Sequence, residues 1–477
     1  MKGRLPLLQA LLDYHKEENI IYSMPGNKSG EGFRRDKVGE IFADNLGYLD
    51  ITEVDPLDNL HHPEGVIRES QELLAKTYGV EKAYFLVNGT TGGNLAAIFA
   101  SFNEGDEVLV ERNCHRSIYN GLILRKLKVI YIEPSGMNEY GLFLPPDKGN
   151  IYKALNKAEN PKGIILTYPN YYGITYDLKD VLIDLKEKGL KVIVDEAHGA
   201  HFGISKKLPM NIAKFADFTI VSAHKTLPAL TGGSFLLSNH IDSDIEFYIS
   251  AFMTTSPSYL IMASLDYARY YLDNFGEDDY NDLITLTEMM KEKINSLNKV
   301  KIISKEDLPK GYDIDLSRYV MTVPKGYCGS KLLDYLRKNN IQGEMSFSLG
   351  VVLILSFSKA EKNLIKLYEV ISKLDMNLIE DNSEVLYYKS ITPKKIFEPF
   401  EVFNCPKEEV KIDEALGRVL KEAIVPYPPG IPIACPGEMV SEDVIKSVLN
   451  YLKVGQTVLG VENGKIKVCI HNKNKEW

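Results

Sequence analysis

The sequence predicts an α/β protein: a large domain built on a mainly parallel β-sheet, then a small α+β domain and a C-terminal α+β domain. Two observations predict this class. Short runs rich in Val, Ile and Tyr recur between about residues 60 and 240, and stretches with helical spacing, such as Leu178–Lys188, separate several of them. Strands that alternate with helices favour a parallel sheet covered on both faces. The predicted strands are Ala83–Val87, Glu107–Val110, Lys128–Ile132, Gly163–Leu166, Lys191–Val194 and Phe218–Val221.

The two smaller domains are predicted from changes of pattern along the chain. A long helical pattern at Leu283–Leu297 precedes several short apolar runs, and a second pattern at Ala360–Leu374 follows them. Residues 376–400 are polar and charged without a clear period, which predicts a linker. The proline-rich run 425–438 excludes a regular helix and predicts a rigid loop. The predicted divisions are 1–276 (N-terminal segment and large domain), 277–376 (small domain) and 377–477 (linker and C-terminal domain).

Composition narrows the class of protein. Of the 477 residues 44% are hydrophobic and 25% charged, which is ordinary for a globular protein. The net charge is −9 and no basic stripe occurs, so a nucleic-acid partner is not expected. The five cysteines form no Cys-x-x-Cys pair, so neither a disulfide framework nor a Cys-type zinc site is predicted. The clean apolar run Leu349–Leu355 is far below the ~18 residues of a membrane span. No signal peptide or membrane partner is predicted, and the expected location is the cytoplasm.

Four stretches carry candidate functional side chains, and each follows a predicted strand, where parallel sheets bind their ligands. The first is Asn-Gly-Thr-Thr-Gly-Gly-Asn at 88–94, which opens a predicted helix. Gly89 lets the backbone approach an anion, and the hydroxyls of Thr90 and Thr91 can donate to it together with the helix N-terminal N–H groups. A phosphate fits this arrangement. A glycine-rich turn with a threonine cap is the alternative.

The second and third stretches carry His115 and Asp195. The imidazole of His115, within Arg112–Ser117, can stack on a planar cofactor, although a polar loop histidine would give the same pattern. Asp195 ends an apolar strand and begins the motif Asp-Glu-Ala-His198. A carboxylate at that point would keep a pyridine nitrogen protonated, and a protonated ring is the electron sink of pyridoxal chemistry. An ordinary polar strand end is the alternative.

The Asp-Glu-Ala-His motif has two further interpretations. An ATP-driven helicase would need an upstream G-x-x-x-x-G-K-[ST] loop. The nearest candidate, Gly26–Ser29, has Asn27 where the second glycine should precede the lysine and lacks the first glycine. A zinc site would need a third ligand beside His198 and His201, and none is near in the sequence. Neither a helicase nor a metal site is therefore predicted.

The fourth stretch is Ser222-Ala-His224-Lys225. A lysine at a strand end in a cleft can lose its proton through desolvation and form an imine with an aldehyde. Ser222 and His224 could contact the same phosphate as the first stretch. An exposed lysine is the alternative. Together the four stretches supply an anion loop, a flat stacking group, an acid for a ring nitrogen and an imine-forming lysine. Pyridoxal 5′-phosphate (PLP) requires these four functions.

Seven motifs occur together over almost the whole chain: 24–28 (Met-Pro-Gly-Asn-Lys), 55–58 (Asp-Pro-Leu-Asp), 89–91 (Gly-Thr-Thr), 113–115 (Asn-Cys-His), 195–198 (Asp-Glu-Ala-His), 222–225 (Ser-Ala-His-Lys) and 427–430 (Tyr-Pro-Pro-Gly). This combination resembles the Orn/Lys/Arg decarboxylase family of fold-type I PLP-dependent enzymes, especially its shorter bacterial arginine- or lysine-decarboxylase-like branch. The chain departs from the family at Asn27, where histidine is common, at Thr91, where serine is common, and at Leu57–His61, where the family has Leu-Asp-Asp-Leu-His.

The resemblance implies roles for the residues of these motifs. Lys225 would bind PLP covalently, Asp195 would pair with the ring nitrogen and His115 would stack on the ring. The implied phosphate contacts are Thr90, Thr91, Ser222 and His224. Gly89 and His198 belong to the same motifs and are counted with the cofactor-binding candidates. His198 and His224 are also counted with the catalytic candidates.

The resemblance also implies an assembly. The family works as dimers or larger assemblies with active sites at subunit interfaces, so a homodimer or higher homo-oligomer is expected. Thr254–Ser256 resembles a segment that reaches the phosphate of the neighbouring subunit, which adds Thr255 and Ser256 to the cofactor-binding candidates.

The expected reaction is decarboxylation of a basic amino acid, with arginine or lysine favoured over ornithine. Lys225 or His224 would return a proton to Cα. An aminotransferase commonly grips the α-carboxylate with an arginine of the small domain. No arginine occurs between Arg337 and Arg418, which favours decarboxylation. Another aldolase or lyase of this fold, or a non-catalytic member, remains an alternative. An acid must bind the cationic substrate side chain, and the candidates are Asp58, Glu344 and Glu438.

Overall fold

The computed structural model describes residues 5–240, 244–381, 391–427, 430, 432–453 and 457–470. Within these ranges no helix is long and apolar enough to cross a membrane. The N-terminal segment leads up to the central sheet. Its elements are α1 (Pro6–Lys16), β1 (Ile20–Tyr22), α2 (Lys37–Asp44) and α3 (Leu46–Leu49).

The central sheet and the helices that cover it form the next part of the chain. The strands are β2 (Lys82–Leu86), β3 (Glu107–Glu111), β4 (Lys128–Ile132), β5 (Pro161–Thr167), β6 (Ile174–Tyr176), β7 (Lys191–Asp195), β8 (Phe218–Val221) and β9 (Ser234–Ser238). The helices are α4 (Val66–Tyr78), α5 (Gly89–Ser101), α6 (Arg116–Arg125), α7 (Lys148–Leu155), α8 (Lys179–Glu187), α9 (Ala223–Thr226), α10 (Ile245–Phe252) and α11 (Tyr259–Tyr271). This alternation confirms the predicted α/β class.

Seven of these strands form one sheet in the order β2-β9-β8-β7-β5-β3-β4. Neighbours from β8 to β4 run parallel, whereas β9 is antiparallel to both β2 and β8. The carboxyl ends of β2, β3, β7 and β8 therefore meet at one edge. All six predicted strands are present with shifts of a residue or two. The sequence reading missed β9, because Ser-Phe-Leu-Leu-Ser contains none of the Val, Ile and Tyr residues by which the other strands were recognised.

The residues after α11 form a second, mostly antiparallel unit. Its elements are α12 (Glu277–Asn295), β10 (Lys301–Ile302), β11 (Tyr312–Ile314), β12 (Arg318–Thr322), α13 (Gly329–Lys338), β13 (Ile341–Gly343), β14 (Met345–Phe347), β15 (Gly350–Ile354) and α14 (Ala360–Ser372). The sheet order is β10-β12-β15-β14, while β13 pairs with β1 and β11 with β6. A π-helical turn at Leu272–Gly276 joins α11 to α12, so the predicted boundary at 276 falls in a continuous helical path.

The C-terminal unit carries two small antiparallel sheets. Its elements are α15 (Pro399–Phe403), β16 (Lys407–Lys411), β17 (Val425–Tyr427), α16 (Glu442–Lys453), β18 (Thr457–Leu459), β19 (Val461–Glu462) and β20 (Lys465–Cys469). The predicted rigid loop begins with β17, and Pro428, Pro429 and Ile431 lie outside the described residues. Short 3₁₀ helices complete the description at Glu31–Arg35, Ala213–Phe215, Lys305–Asp307, Met376–Ile379 and Ile412–Glu414. The predicted division into three domains remains a prediction.

Candidate active site

The first predicted stretch lies at the N-terminus of α5, directly after β2. The helix packs close to the sheet because position 93 has no side chain: a Cβ on Gly93 would lie 2.6 Å from Leu86 Cδ1 and 2.9 Å from Ile220 Cγ2. The Asn88 side chain makes no capping hydrogen bond, so it does not occupy the N–H groups of the first turn that follow Gly89. Gly89 has φ +69°, and a Cβ there would meet no atom within 4 Å. The turn is therefore an open cradle for an anion.

The fourth predicted stretch lies beside this cradle. The Gly89 N–H donates to the carbonyl oxygen of Gly232 at 2.8 Å, and the His224 N–H donates to that of Gly233 at 3.1 Å. The His224 ring also uses Nδ1 to contact the Gly233 oxygen, at 2.9 Å. Ser222 Oγ lies 3.2 Å from the same Nδ1. The structure thus brings together the two stretches that were predicted to hold one phosphate.

The second and third stretches are linked by two side chains that the sequence reading did not select. Asn94 Nδ2 donates to Asp195 Oδ2 at 3.0 Å and to Ser117 Oγ at 2.9 Å. Ser117 Oγ lies 2.8 Å from His115 Nδ1. Asp195 is 2% exposed, and its Oδ1 accepts the Ala197 N–H at 3.1 Å. Both linking residues lie within the motifs already selected, 88–94 and 112–117. Their place in these motifs is the sequence signal that could have identified them.

The candidate lysine is partly buried at the same edge of the sheet. Lys225 Nζ lies 3.1 Å from His198 Nε2. Burial lowers the pKa of the Lys225 amine, which favours the uncharged form, while Asp195 acts in the opposite direction. Burial and the positive groups around it also lower the pKa of His198 far below its usual range, so the ring is neutral. The exposed-lysine alternative is therefore wrong for Lys225.

An arginine that the sequence reading missed lies behind His198. Arg318, at the start of β12, is 1% exposed. Its Nη2 lies 3.3 Å from His198 Nδ1, and its Nη1 donates to the Tyr171 carbonyl oxygen at 2.5 Å. The segment between Arg337 and Arg418 has no arginine, but the site has one, because the fold supplies Arg318 from outside that segment.

The two histidines of the zinc interpretation have different partners. His201 Nε2 contacts Asp315 Oδ2 and Ser317 Oγ, both at 3.1 Å. Although burial opposes ionisation, His201 and Arg318 hold the pKa of Asp315 at about 2. His198 instead contacts Lys225 and Arg318.

Of the three acids considered for the substrate side chain, one lies at this site. Glu344 Oε1 accepts the Tyr171 hydroxyl at 2.5 Å, and Oε2 accepts the Met24 N–H at 2.9 Å. The Tyr171 ring contacts the His198 ring, with 4.8 Å between centroids. Glu344 also raises the pKa of Lys225, though burial outweighs it. Its position supports the expectation.

The other two acids have structural partners. Asp58 accepts backbone N–H groups from Asn59, Glu64, Gly65 and Ile67 at 2.8–3.0 Å, which closes the turn before α4. Glu438 is buried and accepts two hydrogen bonds from Arg112, at 2.8 and 2.7 Å. Backbone N–H groups hold the Asp58 carboxylate and Arg112 neutralises that of Glu438, so both acids have structural roles.

The candidates for contact with a second subunit lie on the surface. Thr255 and Ser256 are exposed, and Thr254 Oγ1 accepts the Ser256 N–H at 3.2 Å. The carbonyl of Thr254 contacts His61 Nε2 at 2.8 Å. Their predicted role toward a neighbouring phosphate stays a prediction.

These residues fit PLP. The open turn at Gly89 and the first turn of α5 suit a phosphate, and the buried Asp195 carboxylate suits a ring nitrogen. The buried Lys225 amine suits an aldehyde, since desolvation favours its uncharged, nucleophilic form. His115 is exposed at the same edge of the sheet, and hydrogen bonds through Ser117 and Asn94 connect its ring to Asp195. The face of the His115 ring can stack on a planar cofactor.

Comparison with known proteins agrees with this geometry. The family model described as Orn/Lys/Arg decarboxylase, major domain, matches residues 5–309, and the model of the C-terminal domain of the same family matches residues 378–460. The chain belongs to the Orn/Lys/Arg decarboxylase family. The family resemblance drawn from the motifs is thereby confirmed.

Three similar proteins illustrate the match. The uncharacterized protein YaaO of Bacillus subtilis (strain 168) is 35% identical, over 97% of each chain. An arginine decarboxylase of Halalkalibacterium halodurans is 31% identical, over 96% of this chain and 95% of its own. The crystal structure of the Francisella novicida lysine decarboxylase is 20% identical, covers 98% of this chain and 81% of its own, and has a TM-score of 0.78. The predicted fold-type I architecture is confirmed.

Proposed function

We propose that this family member uses PLP to decarboxylate a basic amino acid, arginine first and lysine second, to the corresponding amine and CO₂. The observation that carries the proposal is the desolvated Lys225 amine, 3.1 Å from a neutral imidazole at the sheet edge that also holds Asp195 and the α5 cradle. The order of substrates rests on the named relatives, an arginine decarboxylase at 31% identity and a lysine decarboxylase of the same fold.

The residues for the cofactor follow from the fit. Thr90, Thr91 and Ser222 would hold the phosphate, and Lys225 Nζ would bind the aldehyde carbon. Asp195 would keep the ring nitrogen protonated, because an adjacent carboxylate favours the charged form. When bound, PLP supplies an electron sink for the negative charge that remains on Cα as CO₂ leaves.

The proton that returns to Cα is best assigned to Lys225. Its Nζ is the group at the end of a flexible chain in the buried site, whereas His224 Nδ1 is held by the Gly233 carbonyl oxygen. His198 is buried and Lys225 is partly buried, which also limits the access of water to that proton. His224 would then orient the phosphate side of the site.

Glu344 is the proposed contact for the cationic end of the substrate. Tyr171 and the Met24 N–H fix both carboxylate oxygens, and each oxygen retains a lone pair for a guanidinium or ammonium group. A planar guanidinium can bind both oxygens at once, which suits arginine.

An aminotransferase is the second candidate, because Arg318 provides the cation that such enzymes use for a carboxylate. Its Nη1 and Nη2 are already engaged by the Tyr171 oxygen and by His198 Nδ1. That engagement favours decarboxylation.

The test is to incubate the purified protein and PLP separately with arginine, lysine and ornithine, and to follow CO₂ and amine. We expect CO₂ with agmatine from arginine, and loss of both products in Lys225→Ala. Glu344→Gln should raise KM for arginine at least tenfold, the equivalent of about 1.4 kcal/mol. Glu361→Gln, on the exposed face of α14, is the matched control.

Two results would redirect the proposal. A yellow protein that releases no CO₂ from any of the three would retain the cofactor and reject the reaction. Transfer of the amino group to an added 2-oxo acid, without CO₂, would favour the aminotransferase.

A further inference from the structure

The contact between Arg318 and His198 constrains the imidazole chemically. A guanidinium has only N–H donors and no acceptor. The 3.3 Å contact from Arg318 Nη2 therefore requires a lone pair on His198 Nδ1. A neutral imidazole carries one proton, so that proton must lie on Nε2. Arg318 selects the tautomer of the ring.

The other side of the ring faces Lys225. Nε2 and the lysine Nζ are 3.1 Å apart. An ammonium has three N–H groups and no lone pair, so it would place a donor against the Nε2–H. An uncharged amine has a lone pair that accepts this hydrogen. The geometry is therefore satisfied by a neutral Lys225 and not by a protonated one.

The arginine is held in place independently of the ring. Its Nη1 donates to the Tyr171 carbonyl oxygen at 2.5 Å, and its side chain is 1% exposed. Asp315, three residues earlier, is ionised and bonded to His201 and Ser317, and so it adds negative charge near the guanidinium without bonding to it. The orientation toward His198 is thus fixed by the backbone of β12 and by Tyr171.

We propose that Arg318 is a positioning residue that fixes His198 as its Nε2–H tautomer and thereby keeps Lys225 as an uncharged amine, ready to bind an aldehyde. The inference rests on the proposed function only in taking Lys225 as the lysine that binds the cofactor. Without Arg318 the ring could carry its proton on Nδ1, and Nε2 would accept a hydrogen bond from a Lys225 ammonium, which is not nucleophilic.

Other charged or titratable groups also act on Lys225, and the test must separate them from the tautomer. Asp195 and Glu344 favour the ammonium, whereas burial and Arg318 disfavour it. The titratable rings that interact with Lys225 are His115, His198 and His224. Arg318 can act by its charge alone or through His198, and these two routes give different results when His198 is removed.

The experiment measures the pH dependence of Lys225 acetylation by acetic anhydride in the full-length chain freed of PLP, read by mass spectrometry of the peptide that contains Lys225. The exposed Lys338 of α13 serves as the internal reference. We expect the Lys225 midpoint to lie well below that of Lys338. In Arg318→Met it should rise by about one to two pH units, a 10- to 100-fold loss of free amine at neutral pH. Arg318→Lys, which keeps a donor and a charge, should have a Lys225 midpoint between those of Arg318→Met and the wild type.

The same Arg318→Met change in a His198→Phe background separates the two routes. A shift that falls to less than half of its original size supports the tautomer mechanism. An equal shift in both backgrounds would mean that charge repulsion alone acts, and it would overturn the proposal. So would an unchanged midpoint in Arg318→Met.

A direct measurement covers the case in which Arg318→Met does not fold. Solid-state NMR of the wild-type chain with ¹⁵N-labelled histidine, with the His198 signal assigned by its loss in His198→Phe, reports the tautomer. A proton on Nε2 supports the inference, and a proton on Nδ1 rejects it. None of these readouts needs decarboxylation. Correct titration without CO₂ release would reject the proposed function and leave this inference standing; CO₂ release with the wrong tautomer would do the reverse.

Discussion

Two arginines in the described part of the chain are almost completely buried, and their surroundings are opposite. Arg112, just after β3, forms two hydrogen bonds with the Glu438 carboxylate of the C-terminal unit and lies 3.6 Å from Glu133. Arg318 contacts a neutral imidazole and a backbone carbonyl, and within the described ranges no carboxylate forms an ion pair with it. The first holds two parts of the chain together, and the second lies in the candidate active site.

The contrast extends to acids. Glu438 is neutralised by Arg112, whereas Glu111, at the site end of β3, has no cationic partner among the residues that the structure describes. Burial raises the pKa of Glu111 to about 8. A buried ion pair is stable only when both groups are charged. A buried group without a charged partner can be either protonated or deprotonated. Unpaired buried groups therefore distinguish the site from the structural junction.

The largest effect is expected at the paired arginine. Arg112→Met leaves the Glu438 carboxylate buried without a cation and should lower the free energy of unfolding by about 3–5 kcal/mol. Denaturant titration measures this loss. The double variant Arg112→Met/Glu438→Leu should regain most of it, because neither charge then remains buried. A single variant as stable as the wild type would remove the distinction between the two arginines.

The unpaired acid should respond to pH. Glu111 binds its proton up to about pH 8 in the folded state but only up to about pH 4.5 when unfolded. The folded state alone holds the proton between these values, so wild-type stability falls as pH rises through that window. Glu111→Gln removes this loss. The variant should match the wild type near pH 4 and exceed it by about 2–4 kcal/mol above pH 8. A stability difference that is constant with pH would contradict the raised pKa.

The arginine of the site should matter less for stability than Arg112. Arg318→Met removes hydrogen bonds to His198 and Tyr171 but leaves no carboxylate stranded in an ion pair, so we expect a loss of about 1–2 kcal/mol. CO₂ release should nevertheless fall at least tenfold. Thermal unfolding and initial rates on the same preparation measure the two effects. A stability loss equal to that of Arg112→Met would indicate that Arg318 is a structural residue as well.

The smallest effect is expected at an exposed arginine. Arg35 forms an ion pair with Asp279 at 2.9 Å, and its side chain is 39% exposed. Water screens such a pair, so Arg35→Met should change the free energy of unfolding by less than about 1 kcal/mol. Activity should not change. This variant calibrates the series, and a loss comparable to that of Arg112→Met would show that burial is not the deciding variable.

Much of the fold and part of the candidate site could be predicted from local sequence. Six strands of the central sheet were predicted because their apolar runs are bounded by turn residues, and the parallel topology then brought four polar stretches to one edge. Even Asn94 and Ser117, which join Asp195 to His115, lie within those stretches. The buried strand β9 was missed because it contains none of the Val, Ile and Tyr residues that marked the predicted strands.

The sequence by itself determined the strand–helix alternation, the glycine turn at Gly89 and the positions of Lys225 and Asp195 at strand ends, because these depend on residues adjacent in the chain. Only the tertiary structure decided what surrounds them. Arg318 lies more than ninety residues after Lys225 and reaches His198 through packing of β12 against the large domain. Asp58 and Glu438 look like free acids in the sequence. In the fold, Asp58 accepts hydrogen bonds from backbone N–H groups, and Glu438 is paired with Arg112. A side chain's chemistry is fixed by its type, but its protonation and availability depend on neighbours that only long-range packing supplies.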